Sequence, residues 1–194
     1  MENKKIILAS SSPRRIEMMK KHGITPTIMP ANVDETLPEN IAMRDAVMFL
    51  ALKKALFVEN QSIAENIGEE GTIIIAADTV VYKDEIMGKP NNRQEAFEML
   101  TKLKNTSHYV ATGVAIIKTG EYYKKVLCEV TEVFVKDFTD DELNAYLDTD
   151  EPYDKAGAYA IQGLFSKYID HIQGDFNTVV GFPWDRIVEE LSVL

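Results

Sequence analysis

The sequence predicts an α/β protein built on a mixed sheet. Short runs rich in β-branched residues alternate with helix-forming segments over the first half of the chain. Two long strand-like segments then follow one another through a short turn, as antiparallel neighbours do. No tandem repeat, low-complexity tract or linker interrupts the 194 residues, so the chain reads as one domain, 1–194.

The first strand is expected over Lys5 to Ala9, where Ile6-Ile7-Leu8 is continuously apolar. A helix from about Ser12 to His22 follows, with Pro13 in its first turn and Gly23 ending it. Thr25 to Met29 reads as extended. Asn40 to about Asn60 is the longest helical segment; Val47, Phe49, Leu50, Leu52, Leu56 and Phe57 make it apolar nearly all round, which predicts extensive burial. Thr72 to Tyr82 is strongly β, and Lys83-Asp84-Glu85 makes a turn. Asn92 and Glu95 mark the start of a helix ending near Leu103. Strands over Tyr109 to Lys118 and Tyr122 to Val135 are joined through Thr119-Gly120. Thr139 and Glu142 have capping-box spacing before a helix ending near Leu147. Tyr153 to Gly163 reads as loop and short helix, Tyr168 to Ile172 as a short strand, and Pro183 to Leu194 as the last helix.

Bulk properties exclude several functions. An apolar fraction of 45% suffices for a sizeable core. A net charge of −10 argues against nucleic acid as the main partner, since phosphate backbones demand clustered Lys and Arg. Cys128 is the single cysteine and reads as core, so no intrachain disulfide forms. The start of the chain has too short an apolar run for a signal peptide, and no stretch suits a membrane span. A reducing cytoplasm is the expected compartment.

Chemistry is expected first at residues 8–15, LASSSPRR, where a strand gives way to a helix. Helix N-termini carry unpaired N–H groups and partial positive charge, and arginine adds planar donors matched to phosphate. Ser10, Ser12, Arg14 and Arg15 therefore form a candidate triphosphate clamp, with a capped helix bearing exposed arginines as the plainer reading. Neither a Walker loop nor a Gly-x-Gly-x-x-Gly turn is present.

Asp78 interrupts the apolar run 76–81, AADTVV. A carboxylate there is costly unless paired or bound to metal, which suggests a magnesium ligand, a general base, or both. Asp34-Glu35 suits a hard cation equally well as it suits a solvated loop. Lys53 and Lys54 interrupt the long apolar helix, and one of them must face inward or snorkel. Lys89, in the turn Gly88-Lys89-Pro90, is an ordinary exposed lysine unless phosphate lies near it. Gln162 ends a segment of small residues and can read a base edge with its donor and acceptor. His22, His108 and His171 lack ligand spacing and read as structural or exposed, and Trp184 reads as core or interface.

Taken together, these segments resemble the Maf family of nucleoside triphosphate pyrophosphatases, nearly end to end. The resemblance rests on LASSSPRR at 8–15, VDE at 33–35, LALKKA at 50–55, AADTVV at 76–81, GKP at 88–90, TGVA at 112–115, DKAGAYAIQG at 154–163 and GDFNTVVGFP at 174–183. It implies a two-lobed, inosine-triphosphate-pyrophosphatase-like fold with an elongated mixed sheet and a deep central cleft, and a homodimer. It implies hydrolysis of a nucleoside triphosphate to the monophosphate and pyrophosphate, with Mg²⁺ or Mn²⁺ required. Asp78 then matches the proposed general base, and Glu35 a metal-associated carboxylate alongside Asp78. Ser10, Arg15, Lys54 and Lys89 match phosphate-side positions, which selects Lys54 over Lys53. Arg14, Thr79 and Gln162 match the specificity positions of the branch acting on dTTP and UTP, with modified pyrimidine nucleotides as further candidates. The alternatives are the sibling branch acting on 7-methyl-GTP and a nucleotide-binding regulator of cell division. Two departures stand out: Ala160, where glycine is common, and Thr178, where asparagine is common.

Overall fold

A computed structural model describes residues 5–194. The strands are β1 (Ile6–Leu8), β2 (Thr27–Ile28), β3 (Ile73–Lys83), β4 (Glu85–Met87), β5 (Ser107–Lys118), β6 (Lys124–Val135) and β7 (Ile169–Gln173). The helices are α1 (Pro13–Lys21), α2 (Met43–Ala64), α3 (Arg93–Leu103), α4 (Asp140–Leu147), α5 (Phe176–Val180) and α6 (Trp184–Ser192). One mixed sheet runs in the order β2-β1-β3-β5-β6-β7, with β4 paired to β3. β1 is parallel to β2 and β3; β4 on β3 and β7 on β6 are antiparallel.

The chain divides into two compact units. The first comprises residues up to Asp78, Thr112–Cys128 and Gly181–Leu194; the second comprises Thr79–Ala111 and Glu129–Val180. In the first unit the continuous apolar runs are explained by burial on both faces of the sheet. Ile6, Leu8, Ile73, Ile75 and Ala77 pack with Met19 of α1 and Trp184, Ile187 and Leu191 of α6. The alternate residues Ile7, Ala9, Ile74 and Ala76 pack with Ala51, Ala55 and Val58 of α2. Gly113 of β5 lets α2 come very near, because a Cβ there would collide with the Val47 carbonyl and stand 2.8 Å from the Met48 nitrogen. In the second unit, Phe165 lies in a core with Leu100 and Leu103 of α3 and Leu143, Tyr146 and Leu147 of α4. Asn92 caps α3 through the Glu95 amide, and the Thr139–Glu142 capping box starts α4.

Several sequence expectations are corrected. α2 starts at Met43 rather than Asn40 and continues to Ala64. Its burial follows one line, Ala46, Val47, Leu50, Ala51, Ala55 and Val58, whereas Phe49 and Phe57 remain exposed. Cys128 is half-buried, outside the core clusters. The turn at Asp84, whose φ is 63°, returns the chain into the extra strand β4. Residues 174–183 contain the short helix α5, an element the sequence reading did not include. Its Asp175 accepts hydrogen bonds from the Asn177 and Thr178 amides, and the Thr178 hydroxyl donates to the same carboxylate at 3.0 Å. The threonine at that departure is thus buried and hydrogen-bonded. Trp184 is core, with His22 stacked on it at 4.3 Å, while His108 is buried and His171 exposed.

Candidate active site

In the first unit, β1 delivers the chain to Ser10, whose hydroxyl accepts from the Ser12 amide at 3.1 Å and from Arg15 Nη1 at 3.2 Å. α1 begins at Pro13 and brings Arg15 back over the end of β1. Arg15 Nη1 also donates to the Ala77 carbonyl at 2.8 Å, and Nε donates to the Gly181 carbonyl at 2.9 Å. Burial pushes the Arg15 pKa down to about 10; the charge of Asp78 opposes that shift, and neighbouring Arg14 reinforces it. Arg15 is therefore a half-buried cation fixed by two main-chain carbonyls, one of them on Ala77, the residue before Asp78. Arg14 lies half-buried beside it on α1.

Asp78 is 8% exposed. Lys54 of α2 donates to its Oδ1 at 2.6 Å and lies 2.7 Å from Glu35 Oε1. One ammonium thus bridges two carboxylates. Lys53 turns the other way, donating to the Asp34 carbonyl and lying 5.7 Å from the centre of the Phe49 ring. Asp34 accepts from the Thr36 hydroxyl at 2.7 Å and its amide at 3.0 Å, which holds its pKa below the usual carboxylate range. That turn fixes the loop from which Glu35 extends to Lys54.

The second unit holds Thr79, Lys89 and Gln162. Thr79 follows Asp78 on β3 and is half-buried. Lys89 and Gln162 are exposed. Their segments are tied together, since the Gly157 amide donates to the Gly88 carbonyl at 3.0 Å. Gly157 adopts φ of 66°, and a Cβ there would stand 2.8 Å from Val81 Cγ2. Gln162 sits in a turn closed by a hydrogen bond from the Gly163 amide to the Ala160 carbonyl at 3.1 Å. The sequence reading passed over Tyr146 and Glu151, which grip this turn from either side; their partners are distant main-chain groups that no motif records.

Among the described residues, no group of three or more His, Cys, Asp or Glu side chains is suited to a metal. Two carboxylates alone make a poor all-protein cage. They do fit Mg²⁺ or Mn²⁺, which take one or two carboxylates together with water and substrate phosphate. The space between Glu35 and Asp78 already accommodates a cation in the form of Lys54.

The model of the Maf-like protein family matches residues 5–194. The chain belongs to the Maf family. Among its Maf relatives, one from Acetivibrio thermocellus is 42% identical over 97% of this chain and 94% of its own length. Another, from Caldicellulosiruptor bescii, is 45% identical over 95% of this chain and 92% of its own. Both are named dTTP/UTP pyrophosphatase. A solved structure of the Staphylococcus aureus Ham1 protein covers 68% of this Maf chain and 72% of its own, at 13% identity and a TM-score of 0.41.

Proposed function

We propose that this chain hydrolyses the α–β phosphoanhydride of dTTP and UTP, releasing the monophosphate and pyrophosphate. The observation that carries the reading is the buried Asp78 joined through Lys54 to Glu35, with the Arg15 guanidinium anchored next to it on Ala77. Full-length relatives named for that activity support it.

Asp78 accepts the proton of the water that attacks the α-phosphorus, a role open to a carboxylate positioned as general base. Lys54 and Lys89 answer the charge of the departing pyrophosphate, and Ser10 offers a hydroxyl. Arg15, tied to two carbonyls, acts as a fixed positive charge rather than a swinging arm. Glu35 and Asp78 would hold the divalent ion, which when bound shields the triphosphate and polarises its oxygens. Arg14, Thr79 and Gln162 select the base. The reading includes a homodimer in the cytoplasm. No helix among the described residues is long and apolar enough to cross a membrane.

The test is a screen of purified protein against nucleoside triphosphates, scored for pyrophosphate and repeated with chelator. Release from dTTP and UTP that stops on chelation and returns with Mg²⁺ is the expected result. Preference for 7-methyl-GTP would move the chain to the sibling branch. Binding without turnover would point instead to a regulator.

A further inference from the structure

We infer that Tyr146 and Glu151 are positioning residues that set the turn bearing Gln162, and through it the choice of base. This rests on the proposed pyrophosphatase reading and on Gln162 as its base reader. Both residues lie in the same compact unit as the turn.

The turn is gripped at both ends. On its entry side, the Tyr146 O–H lies 3.3 Å from the Ala158 carbonyl. On its exit side, Glu151 Oε2 accepts from the Leu164 amide at 2.8 Å, and Oε1 accepts from the Phe165 amide at 3.3 Å. The two grips are joined, because the Tyr146 O–H donates to Glu151 Oε1 at 3.0 Å. Gly163 lies flat on the carboxylate, where any Cβ would strike Glu151. Tyr146 is buried, so its hydroxyl has little solvent to turn to. Phe165 is fully buried and anchors the far end. Gln162 itself is exposed, in the middle of this bracket. An exposed side chain discriminates between bases only if its backbone is fixed, and these contacts supply that fixation.

The pair touches no reacting atom. Loosening it should therefore blur selection while sparing the chemical step. The measurement is kcat and KM for dTTP, UTP, CTP and GTP in the parent protein, Tyr146→Phe, Glu151→Gln, Gln162→Ala and the double variant Tyr146→Phe/Gln162→Ala. We expect Tyr146→Phe to raise KM for dTTP and to lower the dTTP-to-CTP ratio of kcat/KM roughly tenfold, about the effect of one misplaced hydrogen bond. Glu151→Gln should act in the same direction. The double variant should discriminate no worse than Gln162→Ala alone, since the grip has nothing left to position. Amide exchange at Leu164 and Phe165 should quicken in both single grip variants.

If Tyr146→Phe and Glu151→Gln lower the melting temperature and leave base ratios unchanged, the proposal is wrong and the bracket is only structural. Multiplying losses in the double variant would also overturn it. A parent enzyme whose selectivity survives Gln162→Ala would sink the base-reading assignment, and this inference with it. Absence of turnover in the parent would instead remove the pyrophosphatase reading.

Discussion

Lys54 carries one positive charge between two carboxylates, and the contrast with Lys53 shows why its direction escaped the sequence. Both lysines sit on a helix apolar on most sides, both are half-buried, and only tertiary partners separate them. Asp78 was legible because a lone acid stood in a run where every neighbour favours a strand. The two carbonyls that hold Arg15 were not, since Ala77 and Gly181 are distant in sequence. If Asp78 is the proton acceptor, Asp78→Asn lowers kcat on dTTP by ~10²–10⁴-fold. Steady-state pyrophosphate release at saturating Mg²⁺ checks this, and near-normal turnover rejects the assignment. His108 gives a second residue-level expectation. Burial, aided by the charge of Lys83, pushes its pKa down to about 3, and its Nε2 lies 2.7 Å from the Tyr159 hydroxyl. The unfolded chain takes up this proton near pH 6.5, where the native state still refuses it. The stabilising contribution is whole above that pH and shrinks as pH falls toward 3, by up to about 1.4 kcal/mol per unit. Urea unfolding at pH 7 and pH 5 should differ by roughly 2 kcal/mol more in the parent than in His108→Gln.

At the scale of elements, α2 and β5 meet where Gly113 leaves no room for a methyl group. The obstruction is main chain of Val47 and Met48, which cannot rotate aside. Gly113→Ala should therefore cost about 3 kcal/mol, at the upper end of overpacking effects, and urea denaturation measures it. Because α2 also carries Lys54, the same change should reduce turnover on dTTP. A variant of unchanged stability would show that the helix can back away. Elements announced by local chemistry were readable: Asn92 before α3 and the Thr139–Glu142 box before α4 both satisfy orphan amides within four residues. β4 was missed because its three residues gain strand character only by pairing with β3. α5 was missed because five residues nucleated by Asp175 show no helical periodicity.

For the whole molecule, the mixed sheet was readable from alternating elements and long central strands; two lobes were implied by the family resemblance, but no residue pattern marks where one unit gives way to the other. The chain passes between units at 78/79, 111/112, 128/129 and 180/181, and the first three passages fall inside β3, β5 and β6. No linker composition marks a boundary that runs through strands. It follows that neither unit can unfold without disrupting strands of the other, and calorimetry should record a single transition with equal van't Hoff and calorimetric enthalpies. Two separate transitions would contradict one domain over 1–194. The charges around Asp78 bear on the same transition. Many enzymes become sturdier once a group kept for chemistry is neutralised. Here that carboxylate is the counterweight to Lys54 and to the sequestered guanidinium of Arg15. Silencing it should make the protein more fragile, melting at lower temperature, so that an inert variant is also the weaker scaffold.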